Sequence, residues 1–140
     1  VLKPGGKANI MVYNYYSLHL HLYVAYQMII SRNRFPGLTV EEAFSKTTDG
    51  ENCPIARCYK PETFAEICES AGFTCEWVGG YFSLDELETL RKYGRIALED
   101  QRLSNEHRDF IRELVFDQKR YPMYHGKYCG VGGVYRLAKI

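Results

Sequence analysis

The chain has 140 residues, of which 46% are hydrophobic and 25% charged, and its formal net charge is +1 at pH 7. This length predicts one domain with an ordinary globular core, and so small a charge gives no field that would attract nucleic acid or an anionic membrane. No apolar run reaches the roughly 20 residues that span a bilayer, and no signal peptide is visible, so we expect a cytoplasmic protein.

The first predicted element is a strand at residues 7–14, where apolar residues on both faces are typical of a central parallel strand. Pro4-Gly5-Gly6 forms the turn before it, because Pro fixes φ at one corner and Gly accepts a positive φ at the next. Residues 17–31 alternate like a strand at their start, but their length and apolar stripe favour a helix capped by Ser17.

The segment 32–58 is the least regular, with at most a short helix at 40–44 and a long polar loop at 46–54. The clearest helix is 61–71, because Pro61 suits the first helical position and Gly72 suits the left-handed end. A strand at 73–82 follows it.

An insertion of about 83–126 precedes the last strand. The capping box Ser83-Leu84-Asp85-Glu86 predicts a helix that ends before Gly94, and a second helix is predicted at about 105–118. The final strand is predicted at 128–140.

The chain has five cysteines, an odd number without the CxxC spacing of a zinc site. We expect free thiols in a reducing compartment. His19 and His21 would share a metal on a strand but not on a helix, where they lie about 200° apart, so no metal is expected.

Three segments carry a resemblance to a known family. Leu2-Lys3-Pro4-Gly5-Gly6, Tyr59–Phe64 with Ala71-Gly72-Phe73, and Gly133–Lys139 resemble the segments around the fifth, sixth and seventh strands of class I S-adenosylmethionine-dependent methyltransferases. The resemblance implies that residues 1–140 are the C-terminal half of a methyltransferase catalytic domain with a partial Rossmann-like α/β fold. The implied sheet has three strands and is mixed, with the last strand antiparallel and central, flanking helices and a helical insertion. The chain does not begin with Met, which we expect of a piece from within a longer reading frame.

The family's glycine-rich GxGxG turn and its ribose-binding acidic residue are absent from this sequence. Gly130-Val131-Gly132-Gly133 does not replace the turn, because it lies in the predicted last strand with no helix after it. We therefore expect S-adenosylmethionine to serve the parent enzyme, and this chain alone to have no cofactor-binding residues and no activity. The alternative is a non-catalytic, methyltransferase-like interaction module or partner subunit.

The resemblance also implies where a small-molecule substrate would bind: in the loop after the fifth strand and in the insertion. The candidate substrate-binding residues are Asn14, Tyr15, Tyr16, His107 and His125. Asn14 and Tyr15 follow a parallel strand, at the edge where α/β sheets bind ligands, although turn formation and packing also explain them. His107 and His125 are either a general base or surface and capping residues.

Strand 7–14 is expected to lose one neighbour with the missing half, which leaves a row of unpaired backbone groups. Such an edge pairs readily with another copy, so we expect a homodimer or a swapped assembly that buries this edge or the adjoining face of helix 17–31.

Overall fold

The computed structural model describes residues 2–140; Val1, the first residue of the predicted domain, lies outside the described residues. The strands are β1 (Lys7–Asn14), β2 (Cys58–Tyr59), β3 (Phe73–Tyr81), β4 (Val115–Phe116), β5 (Pro122–Tyr124), β6 (Lys127–Tyr128) and β7 (Gly132–Lys139). The α-helices are α1 (Val40–Thr48), α2 (Pro61–Ser70), α3 (Leu84–Glu99) and α4 (Asn105–Arg112), and a π-helix spans His19–Ser31.

The main sheet has four strands in the order β2-β1-β7-β3. β7 runs antiparallel to both neighbours, and its Tyr135 lies opposite Ile10 on one side and Trp77 on the other. β2 runs parallel to β1 but pairs with it only at Tyr13 and Asn14. The predicted position of the last strand, antiparallel between the other two long strands, is confirmed.

The predicted fold class is nevertheless wrong. The described chain is a mixed α/β structure with a four-stranded, curled half-barrel sheet and a separate sheet of β4, β5 and β6, and not a three-stranded Rossmann-like sheet. The insertion is also not wholly helical, since it contains this second sheet. Strands of two or three residues carry no readable alternation, and the positive φ at Arg120 and His125 makes turns at residues that rarely adopt it.

The segment predicted as a helix at 17–31 does form one, from His19 to Ser31, but with the wider turn of a π-helix, whose hydrogen bonds join residues five apart. The N–H of Arg32 donates to the carbonyl of Gln27, five residues earlier, over 3.1 Å. Ser17 helps to begin it, because its hydroxyl accepts the N–H of Leu20 at 3.2 Å. Most of this helix is buried between α1 on one side and α3 and α4 on the other.

Three helix boundaries differ from the prediction. α1 begins after a capping box, in which the N–H of Glu42 donates to the Thr39 hydroxyl at 3.2 Å, and it extends to Thr48 rather than ending at residue 44. α3 continues past Gly94, which is buried in its interior. α4 ends at Arg112, and Val115 and Phe116 belong to β4.

The core has three parts that meet at the carboxyl end of β1. One lies between the π-helix and α3 and α4, around Leu22 and Phe110, and another between the π-helix and α1, around Val24 and Phe44. In the third, α2 covers one face of the main sheet, with Phe64 against Tyr135. Within residues 2–140, none of the helices has both the length and the apolar character needed to cross a membrane.

Candidate functional site

The candidate residues Asn14, Tyr15 and Tyr16 end β1 and lead to the π-helix. Asn14 is fully buried, and its side-chain amide donates to the carbonyls of Tyr16 and Gly130 at 2.8 and 3.1 Å. Its Oδ1 accepts the N–H of Tyr16 at 3.1 Å. The side chain of Asn14 therefore holds the loop in place, and both of its donors are used in doing so.

Tyr15 lies between a cation and a histidine. The ammonium of Lys60 lies 4.8 Å from the centre of the Tyr15 ring, and the ring meets that of His21 edge-on at 5.0 Å. The cation–π contact and the edge contact both fix the ring, so Tyr15 forms a rigid wall.

Tyr16 belongs to an aromatic cluster that we define as Tyr16, Trp77, Tyr124 and His125. The Tyr16 ring lies 4.8 Å from Tyr124, 5.4 Å from His125 and 6.2 Å from Trp77. Its hydroxyl donates to Glu62 over 3.0 Å. Burial, and next this carboxylate, raise the pKa of Tyr16 to about 12, so its phenol is protonated and serves as a donor at neutral pH.

His125 joins this cluster from the insertion. Its ring stacks on Tyr124 at 4.0 Å, and its Nε2 lies 3.8 Å from a Glu113 oxygen. The structure thus brings His125 of the insertion into contact with Tyr16 of the loop after β1.

His107 pairs with His21, whose ring contacts Tyr15 of the loop. Its Nδ1 lies 2.8 Å from Nδ1 of His21, and the His21 ring stacks on Phe110 at 4.2 Å. Both imidazoles are buried, with 2% and 6% of the surfaces of His21 and His107 exposed, and Nε2 of His21 has no hydrogen-bond partner among residues 2–140. Burial, followed by the neighbouring His107 and Lys60, lowers the pKa of His21 well below its usual value.

A pocket of 580 Å³ opens beside Tyr15, between the π-helix, α1 and the segment before β2. Leu20, Phe44 and Ile55 contribute apolar surface to it, and Glu41 and Arg57 contribute charges of opposite sign. This volume and this mixture of apolar lining with a few polar groups are typical of small-molecule sites.

Several residues of this region were missed from the sequence. His21 was considered only as a metal ligand with His19, and Lys60, Glu62 and Tyr124 were not considered as site residues. His19 and His21 point in different directions from the helix and have different partners. Nε2 of His19 pairs with the Thr48 hydroxyl at 3.0 Å, while His21 pairs with His107. No group of three His, Cys, Asp or Glu within residues 2–140 is arranged to hold a metal ion.

The glycines at 130–133 do not fit the role of a glycine-rich turn that binds S-adenosylmethionine. The glycines that come nearest to its binding motif serve close backbone packing, since a Cβ on Gly130 would lie 1.8 Å from the carbonyl oxygen of Tyr81. Gly132 and Gly133 are the first residues of β7 and pair with β1 and β3, so the chain continues from them as a strand and not as a helix. These glycines therefore do not form a ligand cradle at a helix N-terminus.

Comparisons of the chain with protein-family models, with curated proteins and with solved structures found no match.

Proposed function

We propose that the chain is the substrate-side, C-terminal part of an S-adenosylmethionine-dependent methyltransferase that acts on a small molecule, and that the chain is inactive by itself. The three sequence segments that resemble this family support the assignment to methyl transfer. The observation that carries the location of the substrate is the 580 Å³ pocket beside Tyr15, at the carboxyl end of β1.

The residues of this chain would bind and orient the acceptor molecule. Leu20 and Phe44 offer apolar contact to its body, and the Tyr15 ring, held from one side by Lys60, offers a fixed wall. Glu41 and Arg57 add one negative and one positive charge to the lining, and each could bind a polar group of the acceptor. Such positioning is the main contribution that a methyltransferase makes to its acceptor, because bringing the reactants together in the correct orientation removes much of the barrier.

The state of the cysteines supports a cytoplasmic location as part of the proposal. All five, Cys53, Cys58, Cys68, Cys75 and Cys129, are free thiols. Unpaired cysteines are typical of proteins from reducing compartments.

The proposed pocket is tested by ligand-observed NMR with a set of small aromatic and aliphatic alcohols and amines. We expect saturation transfer to some of these probes, and its loss in Ala56→Trp, which places a large ring in the pocket. Ile67→Trp is the matched control, because Ile67 is 47% exposed on α2 and does not line the pocket. Equal transfer in both variants would place the binding elsewhere.

The assignment of the cofactor site to residues outside this chain is tested by calorimetry with S-adenosylmethionine. We expect no heat beyond dilution. Micromolar binding would contradict the assignment.

A second function, a non-catalytic partner subunit, is favoured by one observation. Met11 on β1 and Ile55 are each 63% exposed and line the same groove, and such an apolar surface suits a protein contact. The coding DNA before residue 1 distinguishes the two functions. An open frame that encodes a glycine-rich turn supports the enzyme, and a start codon close to residue 1 supports the subunit.

A further inference from the structure

Two of the five cysteines, Cys68 and Cys75, lie on either side of the turn that joins α2 to β3. α2 ends at Ser70 and β3 begins at Phe73, and Gly72, with a φ of 82°, reverses the chain between them. The strand therefore returns along the helix that precedes it. Cys68 is in the last turn of α2 and is 6% exposed, and Cys75 is the third residue of β3 and is partly exposed.

Both side chains enter the same part of the core. Phe64 and Cys68 are four residues apart, so they share the face of α2 that covers the main sheet. Cys75 and Trp77 are two residues apart, so they share one face of β3, and both pack against the cluster that Phe64 and Cys68 form with Tyr135. The thiol on the helix and the thiol on the strand thus approach each other from opposite sides of this cluster.

The two sulfur atoms are neighbours within it. Burial, and next a hydrogen bond to Cys68, raise the pKa of the Cys75 thiol to about 12. Tyr135 lies close to both, since burial and then the charges of Cys75, Glu62 and Cys68 raise the pKa of its hydroxyl. This hydroxyl is buried and has no hydrogen-bond partner among residues 2–140, so it does not tie up either sulfur.

The other three cysteines are elsewhere. Cys129 is buried in a different part of the core, where its thiol donates to the carbonyl of Pro122 at 3.5 Å. Cys53 and Cys58 belong to the segment before and at β2 and line the 580 Å³ pocket.

We propose that Cys68 and Cys75 are a modification site, at which a small-molecule disulfide such as oxidised glutathione converts the two thiols into a reversible disulfide within the folded chain. A disulfide requires two Cβ atoms that face each other, and two side chains that enter one cluster from adjacent elements meet this requirement. This inference does not rest on the proposed function.

The reaction is a two-step thiol–disulfide exchange. Cys75, the more exposed of the two, loses its proton and attacks one sulfur of the small disulfide, whose S–S bond breaks to release one small thiol. Cys68 then loses its proton and attacks the Cys75 sulfur of the mixed disulfide, which releases the second small thiol. The protein gives up two electrons and two protons, and these reduce the small disulfide to two thiols. Because the raised pKa leaves little of Cys75 ionised at neutral pH, the exchange is slow.

The bond would fasten together the two elements that hold Tyr16. The Tyr16 hydroxyl donates to Glu62 on α2 at 3.0 Å, and its ring lies 6.2 Å from Trp77 on β3. Cys68 follows Glu62 on the same helix, and Cys75 precedes Trp77 by two residues on the same strand. Oxidation therefore acts on the packing next to the loop after β1.

The first test is disulfide mapping of the natural 140-residue chain after equilibration with oxidised and reduced glutathione at about pH 8, where thiol exchange is faster. Remaining thiols are alkylated, and the chain is cleaved after glutamate, which places Cys68 in peptide 67–69 and Cys75 in peptide 70–76. We expect these two peptides, joined, as the main disulfide product. A main product that contains Cys53, Cys58 or Cys129 overturns the proposal, and so does glutathione attached to the chain without an internal bond.

Thermal unfolding of the oxidised and reduced chains tests whether the folded structure accommodates the bond. The loop that it closes is short, and we expect oxidation to raise the melting temperature by about 5 °C or more. Cys58→Ser is the matched control, because it removes a partly exposed thiol and should show the same rise, whereas Cys75→Ser should show none. Reduction with dithiothreitol should restore the lower value. A melting temperature that is unchanged or lower in the oxidised natural chain overturns the proposal, whether or not Cys75→Ser folds.

Discussion

His21 and His107 join their imidazole rings through two Nδ1 atoms 2.8 Å apart, although 86 residues separate them in the chain. In a neutral pair, one ring donates an N–H and the other accepts it, so the two rings hold opposite tautomers. The contact links the π-helix to α4 inside the core, beside the wall formed by Tyr15.

The first prediction concerns this pair. Replacing either histidine leaves a buried nitrogen without its partner, so His21→Phe and His107→Phe should each lower the free energy of unfolding by about 1–3 kcal/mol. The double variant should lose less than the sum of the two, because it leaves no nitrogen unpaired. Urea denaturation of the four proteins measures the coupling, and additive losses would show that the two rings do not stabilise each other.

The second prediction concerns acid. Burial lowers the pKa of His19 to about 4, and burial also lowers the pKa values of His21 and His107. The unfolded chain therefore binds protons that the folded chain excludes, and the stabilisation is complete above the unfolded pKa of about 6.5. It is lost as the pH falls from 6.5 toward 4, and His19 alone accounts for roughly 3 kcal/mol of it at about 1.4 kcal/mol per pKa unit.

Urea unfolding at pH 7, 6, 5 and 4.5 measures this dependence. Neighbouring titratable groups also shift two of these pKa values. His107 and Lys60 lower the pKa of His21 further, whereas Glu106 and Glu41 act to raise the pKa of His107. Glu86 acts in the opposite direction, because burial raises its pKa and the folded chain gains from its protonation in acid. The urea midpoint should fall across this range, and His19→Gln should flatten the fall; an unchanged midpoint in the natural chain contradicts the prediction.

A third prediction compares two capping boxes. Glu86 is 1% exposed, and its carboxylate accepts the N–H groups of Ser83 at 2.9 Å and of His19 at 3.1 Å. Glu42 accepts the N–H of Thr39 in the same manner at 2.8 Å, but it is exposed. Glu86→Ala should lower the free energy of unfolding by about 2–4 kcal/mol, because it leaves buried donors unpaired, and Glu42→Ala by about 1 kcal/mol or less. Equal losses of unfolding free energy in the two variants, measured by calorimetry, would mean that the burial of Glu86 does not increase the stabilisation by its capping box.

A fourth prediction concerns two glycines near the end of the main sheet. A Cβ on Gly130 would lie 1.8 Å from a backbone oxygen, whereas one on Gly132 would approach the sulfur of Met11 at 3.0 Å. The backbone cannot yield but the Met11 side chain can, so Gly130→Ala should cost about 3 kcal/mol or more and Gly132→Ala about 1 kcal/mol. Thermal unfolding of both variants provides the comparison, and similar melting temperatures would contradict it.

The long elements of the fold were predictable from the sequence for identifiable reasons. β1 and α2 match their predicted ranges closely, because the apolar run after the Pro4-Gly5-Gly6 turn, and Pro61 and Gly72 at the helix ends, are strong local signals. The start of α1 was marked in the sequence by the capping-box spacing of Thr39 and Glu42, but its end was not, because the polar residues from 46 onward resembled a loop. β2 and the small second sheet were not predictable, because their strands are too short to show a period.

The site was predictable only in part. Of the two insertion histidines, His125 contacts Tyr16 directly, whereas His107 pairs with His21, whose ring contacts Tyr15. The role of His21 was not predictable, because the partner of a buried polar group is decided by tertiary packing. No local pattern relates His21 to a residue on α4.

Trp77, the only tryptophan of the chain, gives the molecule a built-in optical probe. Its ring lies at the contact between the main sheet and Tyr16, and its indole N–H is buried with no hydrogen-bond partner among residues 2–140. A half-buried indole whose N–H is shielded from water emits at a shorter wavelength than one in water, so a red shift on unfolding would report the loss of the sheet. A change of fluorescence intensity without that shift would report movement of the Tyr16 ring against Trp77. Ligands that move this ring could therefore be screened by fluorescence without a label.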